Sequence, residues 1–326
     1  MPNKPIVVVG SINLDLVCKA ERIPVAGETI TGSSFQTFHG GKGANQAVAV
    51  ARLAYPVSMI TKVGDDSFGR QLRGALKSAG VDTRAVTIAR RTASGVALIS
   101  TDRQGQNSIV VIPGANGQLR PGDVQRALPL LRSAAMILTQ LEIPMDTIEY
   151  LARVACRYRV PLMLDPAPAR ELSPELLRKV DYLTPNETET CILSGLASGS
   201  LELANVRELA ENLQMRGARH VIIKMGAQGV YLSGSSGFAK FLPAFSVRPV
   251  DTTAAGDAFN GGLAVALTQG KGLEESARFA SAAAAISVTR MGAQPSMPTL
   301  QEVNNLLKRS PSAVQVTITS PMHAAL

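Results

Sequence analysis

Toward its carboxyl end the chain reads Asp251-Thr-Thr-Ala-Ala-Gly-Asp257-Ala-Phe-Asn-Gly-Gly262, a turn of small residues that leads into an apolar segment. The apolar segment predicts a helix that begins near Ala255, and the small residues let backbone N–H groups approach a ligand closely. The first turn of a helix has unpaired N–H donors and a partial positive charge, which together favour a phosphate. Asp257 lies in that turn. It either caps the helix or accepts a proton from a hydroxyl that attacks a phosphoryl group.

A second glycine-rich segment lies near the amino end and reads His39-Gly-Gly-Lys-Gly-Ala-Asn-Gln-Ala47, where a helical pattern begins. It is not a phosphate-binding P-loop, because no Ser or Thr follows the lysine, and the first strand, Ile6-Val-Val-Val-Gly10, is not followed by a dinucleotide fingerprint. The glycines would let backbone lie against a polyhydroxylated ligand, with donors from Lys42 and Asn45. The alternative is a tight strand-to-helix connection.

The order of the remaining patterns predicts an α/β fold with a mostly parallel central sheet and helices on both faces. Apolar β-branched runs at 57–60, 135–138, 161–164 and 220–224 alternate with helical patterns such as 69–79 and 146–158. Residues 14–38 and 94–114 interrupt this alternation and predict a small extra β-sheet. A last helix is expected to start with a capping box formed by Thr299 and Glu302. We expect one domain over residues 1–310 and a tail over 311–326, which is either disordered or an edge strand.

Taken together, the two glycine-rich segments resemble the paired signatures of the PfkB carbohydrate kinase family, in particular its ribokinase branch. The resemblance runs from about Lys4 to about Lys308, and further matches are Asn13 and Asp15, 64–69, 140–144, 186–189 and 292–296. One departure is visible, because many members read Gly-Ala-Gly-Asp where this chain has Ala254-Ala255-Gly256-Asp257. The Ala-Ala form is common in ribokinases. The family's fold is ribokinase-like, with the small sheet acting as a lid over the sugar.

The resemblance implies ATP-dependent phosphorylation of D-ribose at the 5-hydroxyl, which gives D-ribose 5-phosphate and ADP. It assigns Asp257 as the base and the backbone N–H groups of Ala254, Ala255, Gly256 and Asp257 as the hole for the developing charge. The sugar-binding positions that match are Asn13, Asp15, Gly40, Gly41, Lys42, Asn45, Glu142 and Asp257. Short amides and carboxylates at strand ends suit this role, since they can bind neighbouring hydroxyl groups in pairs.

The resemblance also assigns positions for the nucleotide and for two metal ions. The ATP-binding positions are Asn186, Lys224, Gly226, Gly229, Gly256 and Ser281. Glu189, in an Asn-x-x-Glu motif, is expected to hold Mg²⁺ through water, although Asn186 could equally be a helix N-cap. The K⁺ positions are the carbonyls of Asp251, Thr253, Ser287, Arg290 and Gly292, with Ser296.

Composition agrees with a cytoplasmic enzyme. Cys18, Cys156 and Cys191 are widely spaced among 326 residues and read as reduced thiols. No apolar run approaches the length of a membrane span, and no basic-plus-apolar signal precedes the first strand, so we expect neither membrane insertion nor secretion. The net charge of +8 is scattered and the aromatic content is 4%, which disfavours nucleic-acid binding. By resemblance, the partners are sugar, ATP and a second copy that pairs through the lid.

Several alternatives stay open at this point. Within the family, the substrate could be 2-deoxyribose, another sugar or a nucleoside. A different class is a non-catalytic sensor of sugar or nucleotide on the same fold, and the presence of Gly256, Asp257 and Glu189 argues against it. A Rossmann dehydrogenase is disfavoured because its glycine fingerprint is absent.

Overall fold

The computed structural model describes residues 3–197, 199 and 201–310. Its strands are β1 Ile6–Val9, β2 Asn13–Lys19, β3 Ser34–Gly40, β4 Val57–Gly64, β5 Val86–Ala89, β6 Gly95–Thr101, β7 Asn107–Ile112, β8 Met136–Gln140, β9 Leu162–Asp165, β10 Tyr182–Leu183, β11 His220–Lys224, β12 Gly229–Ser233 and β13 Ala239–Pro243. Its α-helices are α1 Lys42–Arg52, α2 Ser67–Ser78, α3 Pro121–Arg126, α4 Leu128–Arg132, α5 Met145–Tyr158, α6 Pro174–Leu177, α7 Glu187–Leu193, α8 Val206–Met215, α9 Ala255–Thr268, α10 Leu273–Ser287 and α11 Leu300–Arg309.

The larger sheet has nine strands in the order β13-β12-β11-β10-β9-β8-β1-β4-β5. All neighbouring pairs are parallel except β11–β12 and β12–β13. Helices cover both faces, because alternate residues of β1 enter different cores. Ile6 and Val8 pack in the core that contains α1, α9 and α10, whereas Val7 and Val9 pack in the core that contains α5 and α8. The predicted fold class is confirmed.

The smaller sheet has four strands in the order β3-β2-β6-β7. Its strands come from the two stretches of sequence that interrupt the alternation of strand and helix patterns. Asp15, Ala97 and Val111 are paired in register and therefore lie on one face, while Leu16, Leu98 and Val110 lie on the other. The domain limits and the role of this sheet as a lid stay predictions, and the predicted tail of residues 311–326 lies outside the described part of the chain.

The starts of two helices near the carboxyl end agree with the sequence predictions. α9 begins at Ala255 as expected, and Thr299 caps α11 in a capping box with Glu302. The glycine-rich segment differs, since α1 begins at Lys42 instead of Ala47. Gly41 stands before it with φ +85°, a conformation that glycine adopts without strain. Within the described residues, no helix has both the length and the apolar character needed to cross a bilayer.

Candidate active site

The candidate site lies at the carboxyl edge of the large sheet, where α1 and α9 begin. Gln140 and Asp165 end β8 and β9 and face each other in register, and Lys224 ends β11. In open α/β sheets this edge is where ligands bind. The two glycine-rich segments meet here, because the side chain of Asn45 reaches that of Asp257.

Asp257 is 4% exposed and both of its carboxylate oxygens accept hydrogen bonds from α1. Asn45 Nδ2 lies 3.0 Å from Oδ2, and Gln46 Nε2 lies 3.1 Å from Oδ1. Burial raises the pKa of Asp257 to about 6, although the charge of Lys42 acts to lower it. The carboxylate is therefore mostly ionised at neutral pH while being a stronger base than an exposed aspartate.

The start of α9 offers N–H groups beside this carboxylate. Ala254 precedes the helix in the left-handed conformation, with φ +60°. The N–H of Ala255 donates to the carbonyl of Thr252 at 3.2 Å, so it is already used. Among the described residues, no backbone carbonyl accepts from the N–H groups of Gly256 or Asp257. These two donors, at the positive end of the helix, form the available anion site.

The glycines before α1 are needed for close packing against the chain itself. A Cβ atom on Gly41 would lie 2.7 Å from the backbone nitrogen of Asn13, and one on Gly43 would lie 2.7 Å from that of Ser11. Gly40 faces Asp15, whose Oδ2 would be 2.2 Å from an added Cβ. The backbone of this segment therefore packs closely against the β1–β2 connection. This packing brings the predicted sugar ligands of the two segments together.

Three carboxylates and one ammonium group share the cleft. Burial, followed by the charges of Glu142 and Asp257, raises the pKa of Asp15 to about 7. Burial acts to lower the pKa of Lys42, but nearby carboxylates, Asp257 first among them, raise it above its ordinary value. Lys42 therefore stays charged, and the cleft presents both acceptors and a donor to a ligand rich in hydroxyl groups.

Glu142 and Asn13 are held with part of their hydrogen-bonding capacity free. Glu142 Oε2 accepts from the hydroxyl of Ser11 at 2.5 Å and from the N–H of Lys42 at 3.0 Å. Asn13 Oδ1 accepts from Asn116 Nδ2 at 2.7 Å, which leaves the amino group of Asn13 as a donor. Asn45 Oδ1 is buried and has no hydrogen-bond partner among the described residues, so it can accept from a ligand.

Among the predicted nucleotide residues, Lys224 lies beside Gly256, the neighbour of Asp257 in α9. Lys224 Nζ pairs with Asp165 Oδ1 at 3.0 Å, and a Cβ atom on Gly256 would lie 3.3 Å from it. Gly226 and Gly229 flank a 3-10 turn after β11, and both have positive φ angles. Gly229 is required by the sheet, because an added Cβ would lie 2.1 Å from a carbonyl oxygen of β13. Ser281 lies on α10, which packs against α9.

Asn186 caps α7, as the alternative interpretation expected. Its backbone N–H donates to Glu189 Oε2 at 2.8 Å, and its Nδ2 donates to Oε1 at 3.0 Å. Burial raises the pKa of Glu189, and the charge of Lys224 opposes that rise. Each oxygen of Glu189 keeps a lone pair after these bonds. The residue therefore fits a role in accepting from water bound to Mg²⁺, which keeps several of its waters.

The residues assigned to K⁺ lie in two adjoining segments, with Asp251 and Thr253 before α9 and Ser287, Arg290, Gly292 and Ser296 at and after the end of α10. The carboxylate of Asp251 joins them, accepting from the N–H of Thr253 at 2.9 Å and of Gly292 at 2.8 Å. The hydroxyl of Ser296 donates to the carbonyl of Ala293 and keeps its lone pairs. A set of carbonyl and hydroxyl oxygens fits a weakly hydrated cation such as K⁺.

Five residues of the site escape prediction from the sequence, namely Ser11, Gln46, Asn116, Gln140 and Asp165. Their contacts join distant parts of the chain, and pairing of this kind leaves no local pattern. Asp165 alone could have been predicted from the sequence. It is an acidic residue at the carboxyl end of an apolar strand, where ligands bind in open α/β sheets.

Comparison with known proteins gives a consistent result. The profile of the pfkB family carbohydrate kinases matches residues 3–300. A ribokinase from Bacillus subtilis is 45% identical over 303 residues, covering 93% of this chain and 99% of the relative. A deoxyribokinase from Salmonella typhimurium is 38% identical over 303 residues, covering 93% and 98%. The solved structure of Arabidopsis thaliana ribokinase complexed with ribose and ATP has a TM-score of 0.88 and 36% identity, covering 94% of this chain and 99% of that one.

Proposed function

The chain belongs to the pfkB family of carbohydrate kinases, and on this premise we propose that it transfers the γ-phosphoryl group of ATP to the 5-hydroxyl of D-ribose. The observation that carries the proposal is the position of Asp257. This buried carboxylate stands at the start of α9, next to free N–H donors, and it is bound by the segment that also brings the sugar ligands together.

Asp257 acts as the base in this reaction. Its carboxylate accepts the proton of the 5-hydroxyl as that oxygen bonds to the γ-phosphorus, and the bond to the bridging oxygen of ADP breaks. The transition state of phosphoryl transfer is loose, so alignment of the two oxygens matters more than basicity. The N–H groups of Gly256 and Asp257 face the charge that develops on the transferred group.

The cleft recognises the sugar through groups that are already oriented. Asp15 and Glu142 supply acceptors, and Lys42 and the amino group of Asn13 supply donors. Buried polar groups that pair with hydroxyls penalise an analogue that lacks one, because the protein group is then left unpaired. We therefore assign ribose over 2-deoxyribose, although the deoxyribokinase relative makes the latter the main alternative.

On the nucleotide side, Lys224 and the turn of Gly226 to Gly229 lie where the phosphates of ATP would pass. Mg²⁺ bound to these phosphates would offset their negative charge. Glu189 would hold its water, since each carboxylate oxygen keeps a free lone pair beside Asn186. Asp251 ties the K⁺ segments to the start of α9, so a bound K⁺ would stabilise the loop that forms the anion site.

We also propose that the small sheet covers the sugar and pairs with the same sheet of a second copy. All six residues of β7 are exposed, and β7 is an edge strand. Val110 and Leu98 lie on the face opposite Asp15 and are 58% and 45% exposed, so within the described part of the chain this face is an exposed apolar surface. The cytoplasm is the proposed location, because ATP is available there and Cys18, Cys156 and Cys191 are free thiols.

The proposal is tested by measuring ADP release with ribose, 2-deoxyribose, other sugars and nucleosides, with and without K⁺. We expect ribose to give the highest kcat/KM and K⁺ to raise the rate. Preference for a nucleoside would show that ribose is not the main substrate, but the protein would still be a phosphotransferase. Binding of sugar with no ADP release under any of these conditions would favour the sensor alternative.

A further inference from the structure

Asp165 is a buried carboxylate for which the proposed reaction supplies no role. It is the last residue of β9 and is 2% exposed. Oδ1 lies 3.0 Å from Nζ of Lys224, and Oδ2 lies 3.0 Å from Nε2 of Gln46. A charge this deep is stable in a fold only when it is paired and hydrogen-bonded, and these two contacts meet that requirement.

Gln46 links this carboxylate to the base. Its Nε2 donates to Asp165 Oδ2 at 3.0 Å and to Asp257 Oδ1 at 3.1 Å, while its Oε1 accepts from Gln140 Nε2 at 2.7 Å. Exchange of the nitrogen and oxygen of Gln46 would bring its oxygen against two carboxylates. The orientation of this amide is therefore fixed by its partners, and each carboxylate receives one of its two N–H groups.

Lys224 is the other end of the network. Its ammonium group lies beside Gly256, at the start of α9, and its backbone N–H donates to the carbonyl of Pro185 at 2.8 Å, next to Asn186. A cation at the positive end of a helix is repelled by the helix dipole. Asp165 supplies the negative charge that stabilises Lys224 in this place before any phosphate arrives.

We propose that Asp165 is a positioning residue for phosphoryl transfer, which holds Lys224 beside the anion site and, through Gln46, fixes the orientation of Asp257. The inference deepens the proposed function and rests on it. Asp165 itself touches neither substrate. It fixes the position of Lys224 next to the phosphates and the position of Asp257 next to the sugar. Both groups are therefore aligned before the substrates bind.

The experiment compares Asp165→Asn, Lys224→Met and the double variant with the parent enzyme. Asparagine keeps the size of the side chain and removes its charge. The matched control is Asp123→Asn, because Asp123 pairs with Lys62 at 2.8 Å and both ion pairs have side-chain exposures of 14% and 3%. The readouts are kcat, KM for ribose and for ATP, binding of ATP by titration calorimetry, and the melting temperature.

We expect Asp165→Asn to stay folded and to lower kcat on the order of 10- to 100-fold, as misplacement of reacting groups does. KM for ribose should change by less than about threefold, because Asp257 is the one predicted sugar ligand that this network reaches. The loss of kcat in the double variant should be smaller than the product of the two single losses, since both variants break the same ion pair. The acid limb of the kcat/KM profile for ribose should also move to lower pH, because the charge of Asp165 helps to raise the pKa of Asp257.

The inference is overturned if Asp165→Asn keeps the parent kcat, or if it loses only as much kcat as Asp123→Asn with an unchanged pH profile. Full additivity in the double variant would also overturn it. A parent enzyme that releases no ADP with any sugar would instead reject the proposed function. The two failures are therefore distinguishable.

Discussion

The side chains of Asn45 and Asp257 are joined by a hydrogen bond of 3.0 Å across 212 positions of the sequence. Asn45 is predicted to bind the sugar, and in the structure its amide nitrogen donates to Asp257, the proposed base. The carbonyl oxygen of Asn45 has no partner among the described residues and can accept from a sugar hydroxyl. In the proposed reaction, one amide would therefore both contact the substrate and orient the base.

Asp257→Asn is expected to lower kcat by about 10²- to 10⁴-fold, the range typical of removing a general base. Ribose should still bind, since the other sugar ligands remain, and titration calorimetry measures this. Asp123→Asn serves as the control for loss of a buried carboxylate elsewhere. Parent-like turnover in Asp257→Asn would remove this residue from the mechanism.

The rate should depend on pH through the same group. The pKa of Asp257 is raised to about 6, so kcat/KM for ribose, which reports the free enzyme, is expected to fall as the pH drops below that value and the base becomes protonated. An aspartate with its ordinary pKa would keep its activity to about two pH units lower. A kcat/KM that stays constant from neutral pH down to about pH 5 would contradict this assignment.

Asp15→Asn should stabilise the protein at high pH while weakening ribose binding. The pKa of Asp15 is about 7 in the fold, against an ordinary 3.8. The folded state therefore binds the proton more tightly, and its stability falls as pH rises between these values. Removing the carboxylate should raise the free energy of unfolding by about 1–3 kcal/mol at pH 8, and by less at pH 5. Urea unfolding at both pH values measures this.

The exposed Glu21, with a side chain that is 73% accessible, provides the control for Asp15. Glu21→Gln is expected to change stability by less than about 0.5 kcal/mol at either pH. An equal gain in stability for Asp15→Asn at both pH values would show that its carboxyl group has no raised pKa in the fold.

Ala254 holds a left-handed conformation at φ +60°. This conformation disfavours a residue with a Cβ by about 1–2 kcal/mol, and glycine loses about 0.5–1 kcal/mol through chain entropy. Ala254→Gly should therefore stabilise the fold by no more than about 1.5 kcal/mol, whereas Ala254→Val should destabilise it by at least about 2 kcal/mol. Equal stability of the two variants in urea would contradict the backbone argument.

Val110→Lys is expected to convert the proposed dimer into a monomer, because it places a charge in the apolar face of the small sheet. Ile88→Lys is a matched control, since Ile88 is 54% exposed on β5, the edge strand of the large sheet. Sedimentation velocity distinguishes the outcomes. A monomeric parent, or a dimer that persists in Val110→Lys, would reject pairing through this surface.

The elements of the fold could be predicted because their signals are local. β11 was predicted with its observed limits, and the cap at Thr299 is a pattern four residues long. The start of α1 was placed too late, because the glycines suggested a loop, whereas Gly43 lies inside the helix, where close packing against Ser11 leaves no room for a Cβ.

From the residues alone, Asp257 was predicted as a base or a helix cap, and Lys42 and Asn45 as donors to a ligand, whereas the other site positions came from the resemblance. Gln46 stands next to the predicted Asn45, yet it lies in a sequence of small helical residues and its partner Asp165 is 119 positions away. Burial and long-range pairing give both residues their significance, and neither property is visible in a single sequence.

All seven residues of β2 pair within the small sheet, and the strand carries both Asn13 and Asp15. A tilt of the small sheet would therefore displace two of the predicted sugar contacts, while Asp257 stays in α9. A compound that bound the outer face of that sheet and tilted it would weaken the binding of sugar, and sugar would weaken the binding of the compound by the same factor.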